Sequence, residues 1–183
     1  MGLANKITIA RILLVPALLL CLLYYSAEYD FLRFIALAIF LVCGVADAID
    51  GYVARRFYQK TELGTMLDPI ADKLLILTAF ISLSIMKNIP AASRIPPWLT
   101  TLVISRDGII ILGTVLIFLM VKKIDIKPSI PGKITTFFQM VTVLLSLLQI
   151  DLIYLFWWIT AITTIISGAG YVWYGTRILN EQR

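Results

Sequence analysis

Four aspartates, Asp47, Asp50, Asp68 and Asp72, fall in the stretch DAIDGYVARRFYQKTELGTMLDPIADK of a chain otherwise suited to lipid. An ionised carboxylate near a bilayer centre costs about 2.5–3.5 kcal/mol on the insertion scale, so four of them need compensation. Asp47 and Asp50 are three residues apart and Asp68 and Asp72 four apart, which puts each pair on one face of a helix. The short basic loop between the pairs makes the two helices antiparallel neighbours, so the carboxylates can converge. Four oxygen-bearing negative charges balance two divalent cations, magnesium or manganese. Such ions held about 3.5–4 Å apart are suited to clamping a phosphoryl group. Gly51, Ala54 and Gly64 keep bulk away from the same surfaces, and Arg55 offers a planar fork for phosphate oxygens. The predicted chemistry is that of a pyrophosphate site.

The elements that must position these residues follow from composition. Of 183 residues, 60% are hydrophobic and 15% charged, with a mean hydropathy of +0.93. These values exclude an ordinary soluble domain, a disordered chain, collagen and a disulfide-stapled fold. Apolar runs predict spans at residues 12–25, 31–54, 65–86, 98–121, 132–149 and 152–174. The first run follows Lys6 and Arg11 without a small-x-small cleavage site and is read as a retained span rather than a signal peptide. Before it, LANKITIAR is expected to form a short amino-terminal interfacial segment. Pro90, Pro96 and Pro97 punctuate the link before the fourth span, and Pro128 and Pro131 the link before the fifth. The expected fold is an all-α integral membrane protein: a six-transmembrane-helix bundle in which residues 1–183 form a single membrane domain.

Charge sets the expected orientation. One set of loops and both termini carry Lys6, Arg11, Arg55, Arg56, Lys60, Lys73, Lys122, Lys123, Lys127, Lys133, Arg177 and Arg183, whereas the opposite loops carry Arg33, Lys87 and Arg94. This bias predicts cytoplasmic termini and a cytoplasmic active site in a bacterial inner membrane. The net charge of +5 is spread over the ends of apolar segments, which points to anionic lipid headgroups and away from nucleic acid. Cys21 and Cys43 lie within apolar runs and are read as small hydrophobes; with no histidine present, any metal here needs oxygen ligands.

DAIDGYVAR followed by GTMLDPIAD fills every defining position of the pattern D-x2-D-G-x2-A-R-x8-G-x3-D-x3-D. The chain thereby resembles the CDP-alcohol phosphotransferases, and the resemblance extends to NKITIAR, ISRD, KPSIPGKITTFFQ and SGAGYVWYG. It implies that Asp47, Asp50, Asp68 and Asp72 bind two divalent cations, with Asp72 also the general base for the acceptor hydroxyl. It implies that Gly51, Ala54, Arg55 and Gly64 contact the CDP moiety of CDP-diacylglycerol. Asn5 and Thr8 join the nucleotide-binding set, and a homodimer is implied as well.

Two acceptor classes fit a family member of this length: glycerol 3-phosphate, as in phosphatidylglycerophosphate synthases, and phosphatidylglycerol, as in cardiolipin synthases. The former usually carry R-E in the fourth span with a second arginine about two turns later. Here Arg106–Asp107 and Thr114 stand at those positions. One guanidinium fewer suits a singly charged phosphodiester better than a dianion, which favours phosphatidylglycerol. Arg106 and Lys133 are the candidate acceptor-phosphate ligands, and Lys133, Thr135, Thr136 and Gln139 are expected along a cavity-facing arc. Arg106 and Asp107 also admit a blander reading as a mutually satisfied pair. The different-class alternative is a small cation or proton transporter using the aspartates as an ion path.

Overall fold

The computed structural model describes the backbone of residues 3–57, 62–121 and 130–180, and the side chains within those stretches except at residues 3–9, 27, 47–57, 62–72, 114–121, 174 and 177–180. Among the described residues there are six α-helices and no strand: α1 (Leu3–Leu23), α2 (Phe31–Phe57), α3 (Glu62–Ile85), α4 (Pro97–Val121), α5 (Ile130–Leu148) and α6 (Ile153–Asn180). The amino-terminal stretch LANKITIAR and the apolar run after it form one continuous helix from Leu3 to Leu23. Pro16 lies inside α1 and costs it one backbone hydrogen bond. Pro97, by contrast, opens α4, where a missing N–H is harmless.

Three helices are long and apolar enough to cross a membrane within the described residues: Ala91–Gly113, Ile130–Leu148 and Ile153–Trp173. Shorter apolar helical stretches run Ala10–Leu23, Phe31–Ala46 and Lys73–Ile85. The surface carries large apolar side chains, among them Leu13 at 69%, Leu112 at 71% and Trp173 at 73% exposure. A water-soluble monomer rarely displays so many, and a lipid-facing one must.

Two compact units divide the chain, residues 1–94 with 146–149, and residues 95–145 with 150–183. In the first, α1 packs on α2 and α3, and α2 meets α3. Leu18 and Leu22 of α1, Ala36, Phe40 and Cys43 of α2, and Ile76, Ala79, Phe80 and Leu83 of α3 are buried at helical spacing. In the second, α4 packs on α6, with Leu99, Val103 and Ala161 buried. Lipid removes the hydrophobic drive for helix association, so dispersion and interhelical hydrogen bonds must hold these units. Thr142 Oγ1 lies 2.8 Å from Thr160 Oγ1, and Thr135 Oγ1 donates to the Thr163 carbonyl at 2.8 Å, joining α5 to α6.

The carboxy end of α5 is closed by a left-handed residue. Gln149 has φ 56°, its N–H donates to the Ser146 carbonyl, and Ile150 N–H donates to the Leu145 carbonyl, both at 3.1 Å. This is the Schellman pattern, here with glutamine where glycine is usual. The Gln149 amide explains the exception, since its Nε2 donates to Tyr25 Oη at 3.1 Å. Arg33 Nη1 donates to the Leu147 carbonyl at 3.2 Å, and Ser146 Oγ donates to the Ser93 carbonyl, tying the same corner into the first unit.

Candidate active site

The acidic residues belong to two neighbouring helices. α2 ends at Phe57 and α3 begins at Glu62, so Asp47 and Asp72 each stand ten residues from the connecting loop. Asp50 and Asp68 stand seven and six residues from it. At about 1.5 Å rise per residue, the two pairs are about 15 Å and about 10 Å along their helices from the loop. The side chains of Asp47, Asp50, Asp68 and Asp72 lie outside the described residues, as do those of Gly51, Ala54, Arg55, Gly64, Asn5 and Thr8. Their donor chemistry is that of hard cations: four carboxylates, each able to offer two oxygens, in a chain without histidine. Among the described residues no group of three or more acidic or cysteine side chains is arranged to hold a metal.

Two candidate residues have fully described surroundings. Arg106 is buried in the middle of α4 at 6% exposure, and Lys133 is exposed in the first turns of α5. No hydrogen bond or ion pair joins them. Thr135 and Gln139 are buried while Lys133 and Phe137 are exposed, so the arc expected to hold Lys133, Thr135 and Gln139 divides between two faces of α5. Two residues of separation turn a helix by about 200°, which is why Lys133 cannot share the face of Thr135.

Arg106 has a built environment. Its Nη1 donates to Asp107 Oδ1 at 2.7 Å, and its Nη2 donates to Ser167 Oγ on α6. Asp107 and Ser167 are themselves buried. The guanidinium carbon lies 5.9 Å from the centre of the Tyr171 ring, and the stem passes Gly168 closely enough that a Cβ there would sit 3.5 Å from Arg106 Cγ. The Arg106–Asp107 pair foreseen by the bland reading is therefore real. It does not satisfy the guanidinium, because buried Arg106 Nε has no acceptor among the described residues. An N–H left unmade in a low-dielectric interior costs about 1–3 kcal/mol, which makes this edge receptive to an anionic oxygen.

In the sequence Ser167 stands out only as the first residue of the SGAGYVWYG stretch that shares in the resemblance. The Ser167–Arg106 bond links residues 61 positions apart and becomes visible only when α4 and α6 are docked. The sole signal in sequence was a polar residue at helical spacing from Thr160 and Thr164 on an otherwise apolar helix.

The sequence profile of the CDP-alcohol phosphatidyltransferase family matches residues 1–167. A probable phosphatidylglycerophosphate synthase of Mycobacterium tuberculosis is 37% identical over 82% of this chain and 68% of its own length. The CDP-diacylglycerol–glycerol-3-phosphate 3-phosphatidyltransferase of Aquifex aeolicus is 33% identical over 84% of this chain and 77% of its own length. The human cardiolipin synthase (CMP-forming) is 33% identical over 94% of this chain, which spans 61% of that longer protein.

Proposed function

Because the chain belongs to the CDP-alcohol phosphatidyltransferase family, we propose that it transfers the phosphatidyl group of CDP-diacylglycerol to phosphatidylglycerol, releasing CMP and forming cardiolipin. The observation that carries the reaction type is the complete eight-position signature divided between α2 and α3, two helices in contact. Asp47, Asp50, Asp68 and Asp72 would hold two divalent cations, magnesium or manganese, which when bound neutralise charge on the phosphoryl oxygens. Gly51, Ala54, Arg55 and Gly64, with Asn5 and Thr8, bind the nucleotide. The acceptor hydroxyl oxygen forms a bond to the phosphorus of the phosphatidyl group. The bond from that phosphorus to the pyrophosphate bridging oxygen breaks, CMP departs with that oxygen, and the hydroxyl proton passes to an Asp72 carboxylate oxygen.

The choice of acceptor rests on Arg106. Its charge is already answered by Asp107, so the pair is neutral as a unit and has one unfilled N–H edge. Such a site suits the single charge of a phosphodiester better than a dianionic monoester. Lys133, exposed near the start of α5, supplies a second, looser cation. Glycerol 3-phosphate is the second reading, favoured by the names of the Mycobacterium and Aquifex relatives. Comparison with these enzymes lends no support to an ion transporter.

We further infer six spans, with residues 1–183 acting as one membrane domain that pairs with a second copy. α2 with 27 residues and α3 with 24 are long enough for a core about 30 Å thick. Both termini and the nucleotide site are assigned to the cytoplasmic side of a bacterial inner membrane. On the opposite side, Arg33 is engaged by Asp30 and Arg94 by the Ile89 and Lys87 carbonyls, so two of its three basic residues have structural partners. Detergent-solubilised protein supplied with CDP-diacylglycerol and either acceptor tests the reading. A product with two phosphates and four acyl chains is expected with phosphatidylglycerol; turnover with glycerol 3-phosphate alone would transfer the assignment to the second reading. Excess EDTA should stop CMP release, and full activity in its presence would remove the metals.

A further inference from the structure

We propose that Ser167 is a positioning residue for the acceptor site, holding the Arg106 guanidinium so that its Nε–H edge faces an anionic oxygen of the acceptor. The inference rests on the reading of Arg106 as an acceptor-phosphate ligand. Arg106 is held at three points. Asp107 takes Nη1, Ser167 takes Nη2, and Gly168 lets the aliphatic stem lie against the α6 backbone. The Tyr171 ring flanks the head from one turn further along α6. Three of these four contacts come from α6, so the orientation of the guanidinium is set by a helix that does not carry it.

The arrangement has a cost that a purely structural pair would avoid. A guanidinium beside a carboxylate reaches its lowest energy as a two-bond fork, with parallel N–H donors on both carboxylate oxygens. Here one described bond joins Arg106 to Asp107, the neighbouring Nη2 is drawn to a neutral hydroxyl, and Nε stays without an acceptor while buried. Ser167 therefore fixes the plane of the guanidinium. Without the hydroxyl, Nη2 loses its acceptor and the guanidinium is free to turn, taking its Nε edge away from the acceptor. Ser167 touches no reacting atom, and its effect is confined to the binding of one substrate.

Steady-state kinetics on the purified enzyme test this with the acceptor and CDP-diacylglycerol varied separately. Ser167→Ala is expected to raise KM for the acceptor about tenfold, with kcat and KM for CDP-diacylglycerol within twofold of the parent. Ser167→Thr, which keeps the hydroxyl, should restore the acceptor KM. Gly168→Val keeps the hydroxyl but crowds the Arg106 stem, and should raise the acceptor KM independently if Ser167→Ala fails to fold. In an Arg106→Lys background, Ser167→Ala should add nothing. An unchanged acceptor KM in Ser167→Ala, when Arg106→Lys raises it, would overturn the positioning role and leave Arg106 as the ligand. An unchanged acceptor KM in Arg106→Lys would overturn the underlying reading as well. Equal rises in both KM values without rescue by threonine would mean that Ser167 merely supports the fold.

Discussion

Asp72 and Gln149 illustrate two ways in which single residues matter here. In its proposed role as base for the acceptor hydroxyl, Asp72 must be ionised, so Asp72→Asn would remove the proton acceptor while conserving shape. CMP release is expected to fall about 10²–10⁴-fold, the usual contribution of a general base, with folding and nucleotide binding retained. Turnover near the parent level would remove the base role. Gln149 is legible only in three dimensions, because nothing about its type announces a φ of 56°. Gln149→Ala keeps the left-handed backbone and loses the bond to Tyr25, and should lower stability by about 1 kcal/mol. Gln149→Gly loses the same bond but relieves the backbone, so its melting temperature in detergent should lie above that of the alanine variant.

At the scale of elements, the start of α2 is held by a local ion pair. Asp30, just before Phe31, accepts from Arg33 Nε and Nη2, both at 2.9 Å. Its carboxyl is held below the ordinary carboxylate value chiefly by the Arg33 hydrogen bonds, opposed by desolvation and helped to a lesser degree by the Arg33 charge and the Tyr25 hydroxyl. A lowered folded pKa means that the contribution is complete above the unfolded value of about 3.9 and is lost as pH falls through the folded one. Asp30→Asn should therefore lower the melting temperature at pH 7, and the gap to the parent should close below about pH 4. A gap independent of pH would show that the charge is irrelevant. Helix existence was legible from apolar period and proline punctuation, as the α3–α4 link around Pro90, Pro96 and Pro97 illustrates.

For the whole molecule, the proposed six-span orientation makes a simple prediction. In a variant whose native Cys21 and Cys43 are replaced, a cysteine at exposed Lys87 should react with an impermeant thiol reagent from outside intact cells, and one at Arg183 only after lysis. Labelling of both from the same side would contradict the three spans placed between them. Six threonines, Thr101, Thr135, Thr136, Thr142, Thr163 and Thr164, lie in hydrogen-bond reach of the carbonyl one turn before them, which shows how polar side chains are tolerated in such spans. A hydroxyl can be answered within its own helix, while Thr135 and Thr142 also reach α6.

The reaction class was contained in the sequence alone, since four acids at helical spacing, glycines beside them and an arginine after them impose the same chemistry wherever the two helices meet. The membrane setting was contained there too, because a bilayer screens composition before it screens shape. The docking of α4 on α6 belonged to tertiary structure, and with it Ser167 against Arg106, the unfilled Nε edge and the parting of Lys133 from Thr135 and Gln139. Periodicity records which face of a helix is apolar, whereas the partner a buried polar group finds depends on which helix arrives beside it and at what register.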